Sequence, residues 1–366
     1  MTDMRIDMRK DHASSWGVGS HAQRDSNLEL LRIVLMLLVV AHHFACNSGA
    51  LDVVDYSRFS FKLVFLQMFG VWGKMAINAF VLISGYFMCR SNLTVKRYCK
   101  VLFEVLFYSW LVYLVFLVAG RETVSARRLF TQATWVFGKA NNGFVSSFLW
   151  FYLFIPFYNS LIGALDRRRL GWLVCLLLLL FSGTSTFLLN TTMFNEVFWY
   201  MTLYFTAAYI RLYPFKWMDN VRTCAAVFLL AVVAAVGSVL LIDCAIVYRN
   251  FDRVFVTYFL ADSNKPLAFA VAVAIFLLFK NLKFGNSRAI NLVASTMFGV
   301  FCIHTASDAM RHWLYFDVFD VQGHLGMGDM AFAGWCAGSV LAIFVVCSIV
   351  DLVRKLGIKF INRKVF

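Results

Sequence analysis

The 366-residue sequence predicts an all-α integral membrane protein of about ten transmembrane helices with both termini cytoplasmic. Three observations predict it. The chain is 61% hydrophobic with a mean hydropathy of +0.72, too apolar for a water-soluble domain. Apolar runs of about 20 residues, the length that crosses a hydrocarbon core, recur from end to end. Lysine and arginine concentrate in alternate connecting segments, as they do in cytoplasmic loops.

The runs lie at 28–46, 66–89, 101–119, 146–164, 170–189, 196–213, 223–243, 266–280, 291–308 and 330–352. The first ends in His42-His43-Phe44-Ala45-Cys46, with no small-residue cleavage site. It is therefore expected to be an uncleaved span behind a polar, flexible cytoplasmic tail, residues 1–27. The second run is long and contains Lys74. The apolar segment Phe130–Phe137 is too short to span and is expected to lie in the interface or to re-enter. One membrane domain, 28–356, followed by a short basic cytoplasmic tail, 357–366, accounts for the rest, with no appended soluble domain.

With the N-terminus inside, the inner segments hold 22 lysines and arginines and the outer segments 10. Arg32 and Lys74, inside spans, complete the total of 34. One outer loop, with Arg121, Arg127, Arg128 and Lys139, runs against this asymmetry and is a candidate for binding something anionic. Because the basic residues are dispersed in short loops, the net charge of +14 reflects membrane orientation and calls for no nucleic acid partner. The nine cysteines show neither metal-ligand spacing nor a disulfide framework, and no metal is expected.

Polar residues inside the apolar runs are costly and mark function. Arg32 and His43 share the first run. Eleven steps at about 100° return a helix to within roughly 20° of its start, so the two share one face, roughly 16 Å apart along it. Glu29 stands three residues before Arg32, at ion-pair spacing. The topology places Arg32 toward the cytoplasm and His43 toward the outside. His304, late in the ninth run, falls at the depth of His43. Asp308, four residues further on, would share the face of His304 and orient its ring. Ser84, Gly85, Tyr86 and Arg90, with Arg97 and Lys100, fall at the depth of Arg32. Trp150 and Phe151 are grouped with the outer histidines. A cationic inner end suits a phosphate-rich donor, and histidine, with an ordinary pKa of about 6.5, suits an outer general base.

These residues resemble a known family. Arg24-Asp25-Ser26-Asn27-Leu28-Glu29-Leu30-Leu31-Arg32, then ten residues and His43, is similar to the opening signature of the acyltransferase family 3 membrane proteins. These are bacterial multi-span enzymes that O-acylate surface glycans. Ile77 to Met88, containing Ser84-Gly85-Tyr86, resembles that family's Phe-rich Ile-Ser-Gly-Tyr motif. Leu149-Trp150-Phe151-Tyr152 with Pro156 resembles its Leu-Trp-Phe segment, and Phe298 to His304 its late Gly-x-Tyr-Leu-x-His segment. The four matches fall in order along the span region. Three departures stand out: Lys96, Arg97 and Lys100 in place of Arg-x-Arg, Phe148 where members carry histidine, and Phe301 where they carry tyrosine.

The resemblance implies ten spans, a cytoplasmic acyl-CoA donor, most simply acetyl-CoA, and a glycan acceptor on the outer side. By position, His43 would be the catalytic histidine, assisted by His304 and Asp308. Arg32 would help hold the donor, Ser84, Gly85 and Tyr86 would shape its channel, and Arg90, Arg97 and Lys100 would meet its phosphates. Trp150 and Phe151 would contact the acceptor. The expected setting is the bacterial cytoplasmic membrane, with the lipid bilayer and polysaccharide-biosynthesis proteins as partners. A polar path through ten spans also suits a transporter or flippase of a glycan, a lipid-linked intermediate or an acyl donor. Against this, the paired broken helices or internal repeats of many transporters are not evident.

Overall fold

A computed structural model describes residues 26–138, 143–189 and 195–365. Most of the expected N-terminal tail, residues 1–25, and Lys139 lie outside the described residues. Among those described the structure is helical with no strand. The helices, in chain order, are α1 (Asn27–Asn47), α2 (Ala50–Val53), α3 (Phe61–Gly70), α4 (Gly73–Met88), α5 (Val95–Val118) and α6 (Ala126–Thr134). There follow α7 (Gly143–Ala164), α8 (Arg167–Leu178), α9 (Thr184–Phe187), α10 (Glu196–Leu212), α11 (Val221–Arg249) and α12 (Pro266–Asn281). The last four are α13 (Arg288–Ala294), α14 (Met297–His304), α15 (Asp308–His312) and α16 (Asp329–Val365).

Each of the ten apolar runs coincides with helix. Seven helical segments among the described residues are long and apolar enough to cross a membrane. They are Asn27–Asn47, Phe61–Met88, Val95–Val118, Gly143–Ala164, Arg167–Phe187, Val221–Arg249 and Asp329–Phe360. Arg288–His304 and Asp308–Gly326 would add an eighth if taken as one span bent by 97°. Pro266–Asn281 is apolar but shorter, and α10 has 17 residues. Long apolar faces with leucine, valine and phenylalanine outward, as on α11 and α16, make this a multi-pass membrane protein. The basic segment 357–365 continues α16 without a break.

Helix ends follow ordinary capping chemistry. Thr94, Asp166, Asn220 and Ser287 accept backbone N–H bonds at the starts of α5, α8, α11 and α13. The segment Phe130–Phe137 falls in α6 and the turn after it, which dock on α5: Gln132 Nε2 and Trp135 Nε1 both donate to Ser109 Oγ, at 2.6 and 2.8 Å. In the same loop Arg121 pairs with Asp317, and Arg128 pairs with Glu122 over the Tyr113 ring. Two of the cations that run against the charge asymmetry are thus neutralised within the protein.

Helix α1 sits at the centre. It packs on α3 and α4 along one side and on α12, α13, α14 and α16 along others. Its start is held by the end of α12 and by α13: Ser26 Oγ donates to Asn291 Oδ1 (2.9 Å), and Asn27 Nδ2 to the carbonyls of Lys280 and Leu282 (3.2 and 3.1 Å). The run 66–89 breaks into α3 and α4 beside α1. A Cβ on Gly70 would lie 2.7 Å from the Ala45 Cβ, and one on Gly73 would overlap the His42 ring. Glycine at both positions is what lets the two segments approach. Asn78 ties α4 to its other neighbours, donating to Ser263 O (2.6 Å) and accepting from Trp199 Nε1 (2.9 Å). Both groups are buried, where an unpaired amide would be costly.

At the Arg32 end a buried ion cluster joins α5, α14 and α16. Asp351 accepts from Tyr108 Oη and Arg354 Nη2, both at 2.7 Å, and pairs with Lys355 at 2.7 Å. Arg354 also pairs with Glu104 at 2.6 Å. Asp351 is fully buried and rests on Gly299, where a Cβ would overlap its carboxyl group. Gly299→Ala should therefore lower stability by about 1–3 kcal/mol through overpacking. Asp351→Ala should cost about 3–5 kcal/mol because buried cations lose their carboxylate. Thermal unfolding of the detergent-solubilised protein checks both, and midpoints within about 1 °C of wild type would refute this account of the cluster.

Candidate functional site

Two cavities flank α1. The larger, about 440 Å³, holds Arg32 and Glu29 from α1, Ser84 from α4, and Asn291 and Ser295 from the α13 region, set among methionine, isoleucine and phenylalanine. The smaller, about 240 Å³, holds His42 and His43 from α1, Lys74 from α4, Glu196 and Tyr200 from α10, and Arg311 from α15. Arg32 and His43 stand eleven positions apart on one unbroken helix, and each lines a different cavity.

Arg32 Nη1 lies 2.9 Å from Glu29 Oε1, and both side chains are partly exposed to the larger cavity. The i,i+3 ion pair and the cavity-facing cation are therefore one feature. A carboxylate beside the guanidinium fixes its direction while leaving other N–H groups free to meet an anion.

The two histidines of α1 differ in their surroundings. His42 Nδ1 lies 2.5 Å from Gly70 O, so its ring is tied to the break between α3 and α4. The His43 ring lies 5.2 Å from that of His304, centroid to centroid, at 61°. His304 is fully buried, and its Nδ1 lies 2.7 Å from Val300 O. A carbonyl only accepts, so Nδ1 carries the hydrogen and Nε2 of the neutral ring carries the lone pair. Neither His304 Nε2 nor His43 Nδ1 has a hydrogen-bond partner, and both are buried. Two unpartnered imidazole nitrogens thus lie in adjacent rings, and one of these rings, that of His43, lines the smaller cavity.

Several expected site residues lie elsewhere. Asp308 does not orient His304: α14 ends at His304, the chain bends, and Asp308 opens α15, with its exposed carboxylate 3.3 Å from Arg311. The i,i+4 relation that placed it beside the ring requires an unbroken helix. Trp150 and Phe151 line neither cavity. Trp150 faces outward, and Phe151 is fully buried against Tyr158, Tyr200 and Tyr204.

The Ser84-Gly85-Tyr86 motif divides by direction. Ser84 lines the larger cavity, its hydroxyl donating to Phe80 O (2.9 Å). Gly85 makes room for α10, since a Cβ there would lie 3.0 Å from the Ala207 Cβ and 3.2 Å from the Tyr204 backbone. Tyr86 packs on Phe276 and lies under the Arg211 guanidinium, 4.4 Å from the ring centroid. Arg90, Arg97 and Lys100 are exposed and outside the cavity, Arg97 donating to Asn92 O (3.1 Å).

Residues given no site role from the sequence extend from the cavity walls. Phe144, Phe148 and Tyr152 of α7 stack in a row, with centroid spacings of 5.7 and 5.5 Å, and Tyr98 stacks beyond them. The row leads to Phe301, whose ring is 5.0 Å from Phe144 and 6.3 Å from His43. Its signal was aromatic spacing at i, i+4 and i+8, one helical face, whereas adjacent Trp150 and Phe151 necessarily point apart. Lys74, Glu196 and Arg311 bring charge to the smaller cavity from three helices. Among the described residues no group of three or more histidine, cysteine or acidic side chains could hold a metal ion.

No curated protein and no solved structure matches the chain. The family model described as an acyltransferase domain matches residues 25–351, from just before α1 into the buried ion cluster of α16. The match spans both cavities and both histidines, and the transport alternative gives way to an enzyme: the chain belongs to acyltransferase family 3.

Proposed function

We propose that this is a membrane O-acyltransferase, most simply an O-acetyltransferase. It takes an acyl group from acyl-CoA at the cytoplasmic face and passes it to a hydroxyl of an extracytoplasmic or lipid-linked glycan. Ten spans with both termini cytoplasmic, in a bacterial cytoplasmic membrane, complete the reading. The observation that carries it is that Arg32 and His43 line two cavities that meet at a shared wall, with His304 against His43. The charge asymmetry of the loops assigns the Arg32 cavity to the cytoplasmic side and the His43 cavity to the outer side.

In this reading Arg32, aimed by Glu29, meets an anionic part of the donor as its thiol arm enters the larger cavity. Ser84 borders the arm. Arg90, Arg97, Lys100 and Arg211 make the surrounding surface cationic and attract its phosphates. A single sugar ring in the smaller cavity would find Lys74, Glu196 and Tyr200 as hydrogen-bonding partners. His304 Nε2 accepts from His43 Nδ1–H after a small ring rotation, leaving His43 Nε2 as the base. The acceptor hydroxyl gives His43 its proton as its oxygen attacks the thioester carbon. The C–S bond then breaks, and the CoA thiolate takes the proton back from His43, leaving ester and free thiol. Transfer by way of an acyl-histidine is the variant in which His43 itself attacks first.

His43→Ala should reduce transfer from labelled acetyl-CoA at least about 10²-fold, with membrane insertion unchanged. Full activity in this variant would exclude His43 as base or nucleophile. His304→Ala should lower kcat by about tenfold or more and shift the pH profile, because His43 loses its orienting acceptor. A fall in yield with an unaltered profile would make His304 a packing residue only. Arg32→Ala should raise the KM for acetyl-CoA more than it lowers kcat. The orientation is checked by a C-terminal epitope tag, which should resist protease in intact spheroplasts and become accessible on lysis. Cleavage in intact cells would reverse the assignment of the two faces.

A further inference from the structure

The two cavities have only four lining residues in common, Val39, Ile77, Phe144 and Phe301, and all four are apolar. Val39 comes from α1, Ile77 from α4, Phe144 from α7 and Phe301 from α14, so four helices converge on one collar. Phe144 and Phe301 meet edge to face, with centroids 5.0 Å apart at 69°, a contact distance that leaves no open passage between the rings. Val39 lies seven residues beyond Arg32 and one helical turn, about 6 Å, before His43. The collar therefore stands between the donor end and the base, next to the base.

We infer that Val39, Ile77, Phe144 and Phe301 form a gauge that sets the length of the acyl group this enzyme transfers. The inference rests on the donor entering through the Arg32 cavity. An acyl-CoA that arrives from that side leads with its acyl tail. For the thioester carbon to come within reach of His43, the tail must pass the collar these four residues form. It must then share the roughly 240 Å³ beyond them with the acceptor. A methyl group needs only a swing of one ring. Each further methylene both holds the collar open and occupies acceptor space.

The test compares acetyl-, butyryl- and hexanoyl-CoA on the purified full chain, measuring free thiol released with water as acceptor, and donor binding by competition with labelled acetyl-CoA. Wild type should turn over acetyl-CoA in clear preference to hexanoyl-CoA. Phe144→Ala should raise the hexanoyl-to-acetyl ratio of kcat/KM by at least about tenfold, the scale that a few methylenes in an apolar pocket command. Phe301→Leu, which keeps most of the buried volume, should move the ratio the same way and guards against misfolding of the first variant. Val39→Phe should move it the opposite way. Turnover by wild type with an unchanged ratio in folded Phe144→Ala and Phe301→Leu proteins would overturn the gauge while leaving the donor assignment standing. Equal use of all three donors by wild type would overturn it as well. Failure of wild type to bind or turn over any acyl-CoA would remove the donor assignment, and the gauge with it.

Discussion

The structure depends on the burial of one polar helix. Helix α1 carries Asn27, Glu29, Arg32, His42 and His43 along a segment that a bilayer would penalise, and the other helices pack around it so that protein and cavities receive those groups. Its start is pinned by Ser26 and Asn27 to α13 and to the end of α12. Its far half is clasped where Gly70 and Gly73 let α3 and α4 come close enough to bond His42. With both ends held, the rotation of α1 is set, and Arg32 and His43 must face the two cavities.

The two cavities differ in chemistry because different helices close them. The Arg32 cavity is walled by aromatics of α7 and by α13 and α14, which are themselves anchored by the Asp351 cluster through Gly299. The His43 cavity gathers Lys74, Glu196 and Arg311 from three helices and is the more polar of the two. Beside His43, His304 is locked by Val300 O and keeps an unpartnered Nε2 in its buried ring. A fixed tautomer in a buried ring is a form of preorganisation: the proton positions are set before any substrate arrives.

Family membership and geometry agree on different points. The match over residues 25–351 identifies an acyltransferase, and the cavities show where such chemistry has room. They also divide the motifs by work. In Ser84-Gly85-Tyr86 one residue faces the cavity, one permits helix contact and one lies under a guanidinium. Three consecutive residues on a helix point about 100° apart, so they cannot share a surface.

What the sequence by itself determined follows from local periodicity and composition. The helical class, the positions of the apolar runs, the common face of Arg32 and His43, and the Glu29–Arg32 pair all arise within single helices and were legible there. The family was legible too, because its signatures are short and ordered. Tertiary structure decided the rest. Only it could break the chain after His304 and send Asp308 to Arg311, turn Trp150 outward, and bring Phe144 to Phe301 and His304 to His43. Those outcomes depend on how helices rotate against one another and where one ends. Such choices are made by packing between segments distant in sequence, which no single run records.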